Sequence, residues 1–169
     1  MGQDISVFRL PFAGKEEFGL LALCAIAVFA PMLVTQQLFL GTIVNATLMV
    51  SALRISGLKA YLPAFLPSII TVMAGFVLGQ PAAAVAAMLP FIWLGNAALM
   101  LIVRKIRDGY WKAITAAAAT KAAVLFASSL VLVYFAGLPA QILAVFGIMQ
   151  FVTAMLGGAL AYPMIKAKN

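Results

Sequence analysis

The sequence has no histidine, a single cysteine and only four acids among its 169 residues. Without histidine, imidazole metal centres and bis-histidine haem ligation are excluded. Asp4, Glu16, Glu17 and Asp108 all lie outside the long apolar runs, so no acid–base pair can be assembled within those runs. Cys24 stands alone, which excludes a disulfide within the chain and leaves the redox compartment unread. The Gly-rich phosphate loop of an ATPase is missing too, so any use of ATP needs a partner. No enzymatic activity, metal or cofactor is expected.

What is present is apolar surface. Hydrophobic residues make up 66% of the chain and charged residues 9%, a composition that a soluble fold would have to expose to water. A helix needs roughly 20 apolar residues to cross about 30 Å of hydrocarbon. The pattern predicts six spans, at about 18–34, 38–53, 60–78, 82–103, 113–136 and 140–165, in a single integral membrane domain. Residues 1–17 read as a retained cytoplasmic or interfacial leader without the pattern of a secretory signal peptide. Continuous runs of this length satisfy their backbone groups internally as helices, whereas a barrel would show shorter alternating segments. The expected fold is all-α, a compact bundle of six transmembrane helices.

The net charge of +7 is distributed by loop. Arg9 and Lys15 precede the first span, Arg54 and Lys59 separate the second from the third, and Arg104, Lys105, Arg107 and Lys112 follow the fourth. Lys166 and Lys168 close the chain, and the three alternate connections carry no charge. Basic residues are retained in the cytoplasm during insertion, which predicts both termini inside a prokaryotic cytoplasmic membrane. The basic residues flank apolar runs and form no stripe with interleaved aromatics, so membrane lipid is expected as a partner and nucleic acid is not.

One lysine escapes this rule. Lys121 lies within the fifth run, roughly nine residues or 13 Å beyond Lys112 on a helix. Two readings stand: the lysine meets an anionic substrate inside the bundle, or the span starts later and the side chain snorkels to the interface. Asn45, Asn96, Gln150 and Thr153 are polar positions within other spans, and Gln150 and Thr153 share a face with Gly157. Each suits either hydrogen bonding between helices or direct ligand contact. Gln36, Gln37, Thr42 and Gln80 border the uncharged side, and Trp93 sits deeper, in a packing or stacking position. Small residues at four-residue spacing, as in Ala119, Ala123 and Ala127, allow close helix approach.

The stretch Gln37-x-x-x-Gly41-x-x-Val44-Asn45-Ala46 is followed by Leu66-Pro67-Ser68, Gly75, Leu89-Pro90-Phe91 and Gly95-Asn96-Ala97. With the size, six spans and tiny loops, this resembles the uncharacterised branch of the substrate-binding S components of energy-coupling factor transporters. The resemblance implies a pocket in the outer halves of the helices for a vitamin-like small molecule. It also implies docking on a transmembrane T component with two ATPase subunits, and release of substrate by toppling in the membrane. Docking in that group uses a small-residue face of the first helix, for which this chain offers Ala22, Ala25, Ala27 and Ala30, spaced differently from the usual Ala-x-x-x-Ala. Nickel- and cobalt-binding members begin Met-His, and the absence of histidine here points away from those metals. A self-contained secondary transporter and a structural subunit of a membrane complex remain alternative expectations.

Overall fold

A computed structural model describes residues 10–78, 82–106 and 109–166. The described residues form α1 (Leu10–Leu33), α2 (Gln37–Arg54), a 3₁₀ helix (Leu58–Ala64), α3 (Leu66–Leu78), α4 (Ala82–Lys105), α5 (Tyr110–Ala136), α6 (Ile142–Phe146) and α7 (Ile148–Lys166). There is no strand among them. Six segments are long and apolar enough to cross a membrane, so the chain is an all-α bundle of membrane-spanning helices. Two of the six are composite: the 3₁₀ helix continues into α3, and α6 continues into α7.

α2 occupies the middle. Its residues from Asn45 to Ala52 are buried on every side, and it packs against α1, α4, the 3₁₀ helix and, most extensively, α7. The α2–α7 approach is set by Gly157, where a Cβ would stand 2.7 Å from Asn45 Cβ and 2.8 Å from the Ala46 nitrogen. No side chain fits that seam. α4 pairs with α5 on one flank, and α1 lies across α2 and α3 on the other.

Both interruptions have local causes. In the third span Pro63 and Pro67 lack the N–H that a continuous α-helix needs. Non-helical backbone at membrane depth must find other partners. Here Ser51 Oγ donates to the Ala60 carbonyl at 2.7 Å and Asn96 Nδ2 to the Ala64 carbonyl at 2.8 Å. In the sixth span the break falls at Gly147, with φ −100° and ψ −104°. A Cβ there would come within 2.6 Å of the Leu143 carbonyl oxygen and 2.9 Å of the Phe126 ring. The hydropathy pattern reads straight through both breaks, because each involves apolar residues.

The start of α1, the end of α2, the end of α4, the start of α5 and the end of α7 gather at one end of the bundle. Arg54 donates to the carbonyls of Met164 and Ile165 at 2.6 and 2.9 Å. Arg104 donates to Ala52 at 2.7 Å and Ile55 at 2.6 Å, with its guanidinium 5.2 Å from the Tyr61 ring centroid. These are carbonyls left over at helix C-termini, where cations are favoured. Glu16 accepts the Ser56 N–H and pairs with Lys59, and the Tyr110 hydroxyl donates to the Gly158 carbonyl. Every described Lys and Arg except Lys121 lies at this end; Arg9, Arg107 and Lys168 fall outside the described residues. α1 runs without interruption from Leu10 into the first apolar run, so Lys15, Glu16 and Glu17 ride on the membrane helix itself.

Gly157→Val is expected to lower the thermal midpoint of the detergent-purified chain, at a cost of about 1–3 kcal/mol for overpacking. Gly14→Ala, where a Cβ meets nothing within 4 Å, serves as the control and leaves the midpoint unchanged or slightly raised.

Candidate functional site

Between α2, α3, α4, α5 and α6 lies a cavity of about 370 Å³, within the usual range of about 300–1,000 Å³ for small-molecule sites. Its walls are mostly apolar, with Leu40, Val44, Ile92, Leu125, Val145 and Phe146 among them. It reaches the uncharged end of the bundle at Gln37, Pro139 and Gln141, and its depth is marked by Asn45, Asn96, Lys121 and Gln150. A second hollow of about 470 Å³ lies between α1, α2 and α3 and shares Gln37, Leu40 and Thr71 with the first.

Lys121 does not snorkel. α5 begins at Tyr110, so the lysine is three turns into the helix, and it is 3% exposed. Its stem passes Gly95 of α4, where a Cβ would stand 3.4 Å from Lys121 Cγ. The ammonium donates to Asn45 Oδ1 at 2.7 Å. Asn45 in turn donates through Nδ2 to Thr153 Oγ1 at 3.1 Å, and Thr153 donates to the Gln150 carbonyl at 3.2 Å. The chain of bonds ties α5 to α2 and α2 to α7. A buried charge is stabilised only where hydrogen bonds or an opposite charge replace water. Glu16 and Glu17 are the only acids among the described residues, and both sit at the basic end on α1.

Asn96 is 2% exposed and uses its Nδ2 on the Ala64 carbonyl, which leaves Oδ1 without a partner. An unsatisfied buried acceptor costs about 1–3 kcal/mol, so such atoms are uncommon in folded proteins. This one belongs to a residue that lines the cavity.

The residues singled out from sequence therefore separate. Gln37, Asn45, Asn96, Lys121 and Gln150 line one cavity, and Thr153 stands behind Asn45 as its support. Trp93 is not in the lining; its indole N–H donates to Ser68 Oγ at 2.9 Å and its ring meets Phe65 edge-on, so it positions a lining serine. Gln36 is exposed just before α2 and makes no capping bond. Gln80 lies outside the described residues. Among the α1 alanines, Ala27 and Ala30 are turned into the bundle at 1% and 7% exposure, which removes them from any docking face; Ala22 and Ala25 point outward. The alanine stripe of α5 also faces away: Ala119, Ala123 and Ala127 are exposed, while Ala113, Ala117 and Ala118 pack inside with Lys121. Thr71 and Gln141 complete the lining and were not singled out. Thr71 sits one turn after Ser68, a periodicity the sequence does display; Gln141 stands at the N-cap of the short helix α6.

In comparisons with known proteins, no family model, no curated protein and no solved structure matches the chain. Its class rests on the fold and the cavity: a six-helix membrane-spanning bundle with a polar-floored pocket.

The Lys121–Asn45 bond predicts an asymmetry. Asn45→Ala leaves the ammonium buried without an acceptor and is expected to destabilise the purified chain by about 1–3 kcal/mol. Lys121→Met removes the charge and keeps the stem volume but leaves Asn45 Oδ1 without its donor, so it is expected to lower the thermal midpoint less than Asn45→Ala does.

Proposed function

We propose that the chain is the substrate-capture subunit of an importer, taking a vitamin-like small molecule from outside the cell. The observation that carries this reading is the cavity itself, which reaches the uncharged end of the bundle and holds a buried ammonium and an unpartnered amide oxygen at its floor. A purely structural bundle gains nothing from a hollow of this size lined by a residue with an unsatisfied polar atom. Stable packing would fill it.

The chain carries no nucleotide-binding motif, so the energy for transport comes from partner subunits, a transmembrane component and two ATPases. The exposed side of α1, with Ala22 and Ala25 between Phe18, Leu21 and Phe29, is the surface offered for that docking. The basic end is cytoplasmic by the retention of Lys and Arg, which turns the mouth of the cavity outward.

Native mass spectrometry of the full chain, gently purified in nanodiscs, tests the capture reading. A small-molecule adduct is expected on the wild type. Ala84→Phe, which fills the cavity from α4 without touching the Lys121–Asn45–Thr153 bonds, is expected to lose the adduct and keep a monodisperse, folded protein. A wild type that never carries a small molecule, yet co-isolates with other membrane subunits, would favour an assembly role instead.

Sidedness has its own test. In a Cys24→Ala background, Gly137→Cys should react with an impermeant maleimide on intact cells. Lys112→Cys should react only after permeabilisation, and the opposite pattern would invert the orientation.

A further inference from the structure

We propose that the captured compound is an amphipathic monocarboxylate, its carboxylate received by Lys121 and a neighbouring N–H or O–H donated to Asn96. The inference rests on the capture reading and adds the chemical class of the ligand. An ammonium has three N–H donors, and Lys121 uses one of them, on Asn45 Oδ1 at 2.7 Å. No carboxylate among the described residues comes near it, since Glu16 is engaged with Ser56 and Lys59 at the far end. A cation that is 3% exposed and lines a cavity lacks its countercharge. An anion entering the cavity supplies both that charge and acceptors for the remaining N–H groups.

The count of charges narrows the class. Among the described residues Lys121 is the one ionisable side chain in the lining, so it balances a single negative charge. A phosphate dianion would bring a second charge with no cation to meet it, and the desolvation of that charge would oppose binding. Asn96 supplies the complementary demand. Its free Oδ1 accepts and cannot donate, so the part of the ligand that faces α4 presents an amide N–H or a hydroxyl. Leu40, Val44, Ile92, Leu125, Val145 and Phe146 then surround an apolar body.

Two measurements on the full chain in phosphatidylcholine nanodiscs test this. In the first, small molecules released on denaturation of the purified wild type, Lys121→Met and Lys121→Arg proteins are identified by mass spectrometry. In the second, affinities are measured for acid and neutral partners of matched shape: pantothenate and pantothenol, lipoate and lipoamide, biotin and biotinamide. Wild type is expected to release a monocarboxylic acid, or to bind at least one acid of the panel about tenfold or more tightly than its neutral partner. Lys121→Met should lose that acid and level the pair, while Lys121→Arg keeps the preference for the acid. A neutral or cationic released compound, or an acid held equally by Lys121→Met, would overturn the carboxylate assignment and leave capture standing. A wild type that releases nothing and binds none of the six compounds would overturn both.

Discussion

The bundle turns on one hydrogen bond, from Lys121 Nζ to Asn45 Oδ1. A lysine in the middle of a membrane helix has to be met by something, and the whole interior is arranged so that it is. Asn45 can meet it because Thr153 holds the other end of the amide, and Thr153 is close enough because Gly157 lets α7 lie directly against α2. On the opposite side Gly95 clears a path for the lysine stem. Remove the seam and the amide has no fixed position; remove the amide and the ammonium has no protein acceptor. The cavity is what remains around a charge that the fold has brought in and only partly answered.

Much of this was legible in the chain. Hydropathy and the alternation of basic and uncharged connections define six spans because each depends on averages over many residues, and averages tolerate local irregularity. Asn45, Asn96, Lys121 and Gln150 could be picked out because a polar side chain in an apolar run has few uses. That they share a cavity could not, since this depends on how four helices rotate about their axes. The two breaks were hidden for a related reason. Residues 60–64 and Ile142–Phe146 carry no charge, and what bends them is proline and glycine acting on backbone bonds that hydropathy does not register. The alanines of α5 misled in the opposite direction. Their spacing is that of a helix contact, yet the side that Lys121 occupies is the inward one, and Ala119, Ala123 and Ala127 lie off it. In a chain so rich in alanine, the rare residue orients the helix and the common one does not.

The irregular segments and the cavity are connected. The 3₁₀ helix leaves carbonyls that α-helical bonding would have satisfied, and Asn96 answers one of them with its N–H groups. That leaves its oxygen without a partner, on a residue that lines the cavity. α6, cut from α7 at Gly147, provides Ile142, Val145 and Phe146 as a wall that a straight sixth helix would have carried elsewhere. The break between α6 and α7 thus adjoins the pocket, and the 3₁₀ helix touches it only through Asn96. At membrane depth this is the placement that physics permits, since free backbone groups there need either protein partners or a polar cavity.

The basic end carries a different lesson, about which substitutions the chain can absorb. Arg54 and Arg104 each reach two or more carbonyls at helix ends, a task that suits a planar, multidentate guanidinium and not the point charge of an ammonium. Lys105, Lys112 and Lys166 make no comparable contacts. All of these residues count alike toward orienting the chain during insertion, but only the arginines also clamp it. The lysines add charge to that end without fastening a helix. A lysine in place of either arginine would bring the same charge to that end and leave its helix-end carbonyls with fewer donors in a fixed geometry.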